Sequence, residues 1–158
     1  MLYALLKSLH LLAIIVWIGG MVFAPFFLRP ALGALEPPVR VRLMHTVLGR
    51  FFNAVLAVIA VTLVTGLWMI GRVAKQVVQA GAPFNMPLEW TLMATLGIVM
   101  MLIFGHIRFV LYKRLSRAVQ ALDWPAGAAA LAHIRTWVLV NLGLGVLIVL
   151  VTLIGVPR

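Results

Sequence analysis

The amino-acid sequence predicts an all-α integral membrane protein, a bundle of four membrane-spanning helices. Hydrophobic residues make up 65% of the chain and charged residues 10%, whereas a typical soluble domain is roughly a quarter charged. The apolar residues form four runs, each close to the length of about 20 residues that a spanning helix needs. Because lipid offers no water to hydrogen-bond an exposed backbone, these runs are predicted to be helices.

The four predicted spans belong to one transmembrane domain that covers residues 1–158. They lie at about residues 5–28, 48–71, 89–112 and 134–156. The first run is too long for the core of a signal peptide and no small-residue cleavage site follows it, so it is expected to be retained. Pro37 and Pro38 precede the second span, and Trp124 and Pro125 precede the fourth, which is typical of helix starts.

The distribution of basic residues predicts the orientation of the spans. The first and third loops, residues 29–50 and 108–135, carry most of the arginines and lysines, whereas the second loop carries only Arg72 and Lys75. By the positive-inside rule, the first and third loops are cytoplasmic and both termini are periplasmic, in a bacterial-type inner membrane. The first and third loops contribute most of the net charge of +10, so the lipid bilayer is an expected partner and nucleic acid is not.

The composition excludes several kinds of site. The chain has no cysteine, which excludes disulfides and thiolate metal sites. Its three acidic residues, Glu36, Glu89 and Asp123, lie in loops or at span ends, so no paired-carboxylate hydrolytic site is predicted. The sequence names no catalytic residue and leaves open whether the protein is an enzyme.

The four histidines, His10, His45, His106 and His133, each fall on a different predicted helix or its immediate extension. Ionisable residues are costly within a span and tend to face the bundle interior or a functional cavity. Neutral imidazole is a common protein ligand of haem iron and of copper. His10 and His106 lie within apolar runs and are predicted ligands. His45 and His133 lie beside interfacial arginines and are either solvated or ligating.

Depth bears on how many metal centres these histidines form. With about 1.5 Å of rise per residue, His10 falls about 10 Å below the outer boundary and His106 about 24 Å below it. Two axial ligands of one iron must lie at the same depth in the membrane. Either the estimated span boundaries are displaced by several residues and one haem b is bound, or there are two haems. Two haems would let electrons cross the membrane to an unknown redox partner or quinone.

Three further residues are candidates for contacting a porphyrin. Trp17 lies one heptad after His10 on the same helical face, where it either stacks on the porphyrin or packs in the core. Arg108 and Arg135 lie near the inner face, where they either pair with haem propionates or reflect the positive-inside rule alone.

The eight methionines are the other candidate copper ligands. None forms a closely spaced M-x-M or M-x-x-M track, and methionine within a span usually serves packing. Small residues in the first and last spans, Gly20 with Ala24 and Gly143 with Gly145, either let helices approach closely or reflect the frequency of glycine in membrane helices. A bundle of this size often assembles further, and a homodimer is predicted.

Short motifs along all four spans resemble those of a known group. They are Lys7-Ser8-Leu9-His10, Trp17-Ile18-Gly19-Gly20, Arg50-Phe51-Phe52, Thr65-Gly66-Leu67-Trp68, Gly105-His106 and Val140-Asn141-Leu142-Gly143-Leu144-Gly145. In these residues the chain resembles the CopD-type copper-resistance membrane domain and its relative HemJ, a haem-binding oxidase of protoporphyrinogen. The resemblance to HemJ implies that His10 and His106 hold haem b, and the resemblance to CopD implies copper handling.

The chain also departs from the HemJ-like pattern. It has Met93-Ala94-Thr95 where those proteins carry a lysine, and it lacks their Asn-Glu-x-Pro element at the fourth span, so protoporphyrinogen oxidation is not implied. The leading hypothesis is a haem b-binding membrane redox protein. The alternative is copper transport or resistance through a His/Met path, and a third hypothesis is a scaffold subunit without a cofactor.

Overall fold

The computed structural model of the protein describes residues 1–154, and long helices account for nearly all of them. The four helices are α1 (Leu2–Ala31), α2 (Pro37–Gln79), α3 (Leu88–Gln120) and α4 (Trp124–Ile154). Each is long and apolar enough to cross a membrane, and no strand occurs among the described residues. The predicted all-α membrane bundle is therefore confirmed. The last two residues of the predicted fourth span, 155–156, lie outside the described residues.

The helices are longer than the predicted spans. α2 has 43 residues and so a length of about 65 Å, which is roughly twice the thickness of the hydrocarbon core of a bilayer. α2 must therefore extend out of the apolar layer. The sequence predicted a span over 48–71 alone because charged residues flank it, Arg40 and Arg42 before it and Arg72 and Lys75 after it. These residues end the apolar run but not the helix.

α1 and α3 each contain one wider, π-helical turn, at Ala24–Leu28 and at Ile107–Leu111. The turn in α1 contains Pro25, which has no N–H to donate along the helix and so widens it. The turn in α3 has no proline, and it begins directly after His106. π-helical turns are often found at functional sites, and this one includes Arg108.

A short turn connects α3 to α4. Leu122 takes a positive φ of 56°, and the Asp123 N–H donates to the Ala118 carbonyl at 2.9 Å, which closes the end of α3. The Asp123 carboxylate then accepts the N–H of Ala126 at 2.9 Å and caps the start of α4. The turn reverses the chain, so α4 runs antiparallel to α3.

The helices pack as two antiparallel pairs, α1 with α2 and α3 with α4, and α4 also contacts α1 and α2. Two glycines allow this approach. Gly20 faces the ring of Phe51, and a Cβ at Gly145 would lie 3.2 Å from Cε of Met100. Close helix contact, one of the two explanations considered for the small residues, is found at Gly20 and Gly145. At Gly143 an added Cβ would have nothing within 4 Å.

The outer surface of the bundle is largely apolar. Large hydrophobic side chains remain exposed along all four helices, among them Leu12, Ile15, Val64, Leu102 and Leu153. An apolar surface of this extent on a monomer marks contact with a membrane. The chain is therefore an integral membrane protein surrounded by lipid.

Candidate functional site

His10 is held by a hydrogen bond between α1 and α2. Its Nδ1 lies 2.9 Å from Oγ1 of Thr65, and the Thr65 hydroxyl donates its own proton to the Val61 carbonyl at 2.6 Å. With the Thr65 proton placed on the Val61 carbonyl, Thr65 Oγ1 is the acceptor for the proton of His10 Nδ1. The Nε2 of neutral His10 is then unprotonated and has a lone pair, which is the state of a metal-ligating imidazole.

The ring of His10 packs closely against α2 at Gly66. A Cβ at Gly66 would lie 3.3 Å from Cε1 of His10, so glycine at this position lets the imidazole lie close to the backbone of α2. One turn away on α2, the buried hydroxyl oxygen of Thr62 has no hydrogen-bond partner among the described residues. A buried polar atom without a partner is costly, and a polar or charged guest beside His10 would give it one.

His45 lies at the other end of the bundle, between α2 and α3. Its Nε2 is 2.9 Å from Oγ of Ser116, and that hydroxyl donates to the Tyr112 carbonyl at 2.9 Å. The same reasoning makes Nε2 the protonated nitrogen of His45 and leaves Nδ1 with the lone pair. The ring stacks on Tyr112 with a centroid separation of 5.0 Å, and the Tyr112 hydroxyl donates to the His45 carbonyl at 3.1 Å.

Arg108 joins the same seam from the π-helical turn of α3. Its guanidinium donates to Oδ1 of Asn53 at 3.1 Å and lies 5.1 Å from the centre of the Tyr112 ring. The Arg108 guanidinium is therefore already engaged by Asn53 and Tyr112. Pairing of Arg108 with a haem propionate, considered from the sequence, would have to compete with these contacts.

The other two histidines are exposed on the outside of the bundle. His106 contacts the edge of the Trp137 ring, 5.4 Å between centroids, and His133 is exposed on α4. No three residues of the types His, Cys, Asp and Glu come together to hold a metal ion within the described part of the chain. The structure therefore does not gather the four predicted ligands into one site.

Trp17 packs in the core. It is 5% exposed, and its ring meets the edge of Phe104 at a centroid separation of 6.1 Å. The sequence left two roles for Trp17, stacking on a porphyrin or packing in the core, and these contacts are those of packing. Arg135, the other candidate for pairing with a haem propionate, lines a cleft together with Arg29 and Arg40. None of the four histidines lines this cleft.

The structure also brings together residues that the sequence did not single out. Met21, Met44 and Met100 come from three different helices, and all three are buried in the same apolar core. Spacing along the chain does not reveal this grouping, because the three methionines share a core only in the folded bundle. Thr65, the partner of His10, was missed for the same reason, although a hydroxyl within an apolar run is a usable signal.

Comparison with known proteins gives one match. The family model for CopD, copper resistance protein D, matches residues 45–154, which is more than half of the chain. The match includes His45, His106 and His133, and it begins after His10. No curated protein and no solved structure matches the chain. The chain therefore belongs to the CopD family, copper resistance protein D, as an integral membrane member.

Proposed function

We propose that this protein carries copper(I) through the membrane and that Nε2 of His10 is one of its ligands. The observation that supports this proposal most is the hydrogen-bond chain from His10 to Thr65 to Val61. This chain leaves a lone pair on Nε2 of the half-buried His10 ring. Family membership supports copper as the cargo. This was the alternative hypothesis drawn from the sequence.

The donor types of the bundle suit copper(I). Soft thioether and imidazole ligands select this ion, and the core holds Met21, Met44 and Met100. Met69 lies four residues after Thr65, on the same face of α2, and so on the side that meets His10. A bundle with one imidazole at one end and thioethers along its core fits the His/Met path better than a closed chelate.

Haem b, the leading hypothesis from the sequence, has weaker support. His10 is held by α2, whereas His106 is exposed beside Trp137, so the two predicted axial ligands are not found in one site. Family membership concerns copper and not haem. A homodimer and an electron-exchanging partner stay predictions of the sequence.

The test is transport of copper(I) by the purified protein in sealed liposomes. We expect radioactive copper(I), kept reduced by ascorbate, to accumulate inside, and we expect the protein to lack a Soret band. Replacing Met21, Met44 and Met100 together with leucine conserves volume and should cost little stability. That triple variant should slow uptake by about tenfold or more, since it removes soft ligands. Met86→Leu, in the loop before α3, is the matched control and should leave uptake unchanged.

The outcomes separate the three hypotheses. Copper uptake that depends on the core methionines supports the carrier. A Soret band that shifts on reduction, with no copper uptake, would replace the carrier with the haem protein. A colourless protein that neither binds nor moves copper would leave the scaffold hypothesis.

Orientation is part of the proposal. The excess of basic residues in the first and third loops supports periplasmic termini and an inner-membrane location. A reporter that is active only in the periplasm, fused after Arg158, should be active, and the same reporter inserted at Gly33 should be silent. The reverse pattern would overturn the orientation without affecting the fold.

A further inference from the structure

A cleft with a volume of about 320 Å³ lies between α1, α2 and α4. It is at the end of the bundle from which the first and third loops emerge. Three arginines, one from each helix, take part in its wall: Arg29, Arg40 and Arg135. The rest of the wall is mostly apolar, and it includes Val41, Leu48, Ile134 and Val138.

The arginines of this cleft have no counter-charge among the residues that line it, since no carboxylate of residues 1–154 is part of the wall. Three guanidinium groups around one apolar cleft repel one another, and the low-dielectric surroundings screen that repulsion less than bulk water does. An anion bound between them would convert the repulsion into attraction, and guanidinium is well suited to phosphate oxygens, which it can bind in pairs.

The composition of the wall indicates what kind of anion fits. A small inorganic anion would leave the apolar part of the cleft without a partner, whereas a phospholipid brings both a phosphate and acyl chains. The position also fits, because the basic residues predict that this end of the bundle is cytoplasmic, and basic pockets between transmembrane helices on that side are known to hold anionic lipid headgroups. We propose that this cleft is a binding site for an anionic phospholipid, with the phosphate between Arg29, Arg40 and Arg135 and an acyl chain along the apolar wall.

The proposal is tested by native mass spectrometry of the full-length protein, stripped of lipid and then titrated with phosphatidylglycerol or with zwitterionic phosphatidylcholine. Because each interfacial basic residue favours an anionic lipid, the wild type should prefer phosphatidylglycerol by about tenfold or more. The variant with Arg29, Arg40 and Arg135 all changed to glutamine should lose that preference. A matched variant, with Lys113, Arg114 and Arg117 changed to glutamine, removes the same charge elsewhere at this end of the bundle and should keep it.

A second pair of variants leaves all three arginines in place. Ala132 lines the cleft and Ala129 does not, although both are exposed on the same stretch of α4. Ala132→Glu puts a carboxylate where the phosphate would lie and should weaken phosphatidylglycerol binding by about tenfold, whereas Ala129→Glu should change it little.

Three results would overturn the proposal. One is a wild type that does not discriminate between the two lipids. Another is an equal loss in the Lys113, Arg114 and Arg117 variant, or in Ala129→Glu, which would show a diffuse surface charge effect. The third is full displacement of the lipid by inorganic phosphate at millimolar concentration, which would make the cleft a site for the free anion. None of these measurements depends on copper.

Discussion

Replacement of His10 with alanine should lower copper(I) uptake into liposomes by at least about tenfold. The hydrogen bond from His10 Nδ1 on α1 to Thr65 on α2 leaves Nε2 free to bind copper. Alanine removes both the ligand atom and that hydrogen bond. His133→Ala is the matched control, because His133 is exposed on α4. It should leave uptake near the wild-type rate.

Thr65 provides a finer test of the same site. Thr65→Val keeps the shape of the side chain but removes the hydroxyl that accepts the His10 Nδ1 proton. Outer-shell partners of this kind typically contribute 10–100-fold to metal affinity, so copper(I) affinity should fall by about that factor. Thr65→Ser retains the hydroxyl and should restore most of the affinity. A role confined to packing would predict the opposite order, since valine fills the space better than serine.

The His10 assignment fails if His10→Ala transports copper at the wild-type rate while the protein remains folded and monodisperse. In that case His45 is the next candidate. Its Nδ1 is also left unprotonated by its bond to Ser116, and it lies within the stretch that matches the CopD family. Uptake that is lost in His45→Ala but not in His10→Ala would move the site to the α2–α3 seam.

The fold class could be predicted from the sequence because the signal is large and local. A run of about 20 apolar residues has few stable alternatives to a spanning helix. Helix ends were harder to predict. The continuation of α2 through Arg40, Arg42 and Arg50 has little hydrophobic signal, and a helix that leaves the membrane is stabilised by packing rather than by hydropathy.

The faces of the helices could not be predicted by the same means. In a soluble protein the polar face of a helix identifies the opposite, buried one. α3 has no polar side chain from Leu96 to Gly105, because both lipid and core accept the same apolar side chains. The sequence before His106 therefore has no periodicity that would show that His106 is exposed. His10 was recognised as unusual, but its partner Thr65 is on another helix and could be assigned only from the three-dimensional structure.

Polar residues within spans show the same limit. Asn53 and Asn141 are amides within apolar runs, where a hydrogen bond to a neighbouring helix is the usual role. Asn53 makes such a bond, since its Oδ1 accepts from Arg108. The Oδ1 atom of Asn141 is buried with no partner among the described residues. Sequence patterns can identify a polar residue in an apolar run, but they do not give the orientation that decides what it contacts.

Substitution of Gly20 by leucine should destabilise the bundle by about 1–3 kcal/mol, the usual cost of overpacking. Gly20 lies where α1 meets α2, and a Cβ there would overlap the ring of Phe51. The ring cannot simply swing away, because Phe51 packs against the core beside Phe52. The measurement is the free energy of unfolding in detergent micelles, followed by the loss of helical circular dichroism.

Gly19 is the matched control for Gly20→Leu. It is the preceding residue of the same helix, it is exposed, and an added Cβ would have nothing within 4 Å. Gly19→Leu should therefore be neutral or slightly stabilising, since leucine favours the helix more than glycine does. Phe51→Ala frees the space that the new leucine needs, so Gly20→Leu combined with Phe51→Ala should be more stable than the sum of the single effects predicts. Additive single effects would show that Gly20 and Phe51 do not touch, and equal costs at Gly19 and Gly20 would show that α1 does not meet α2 through this face.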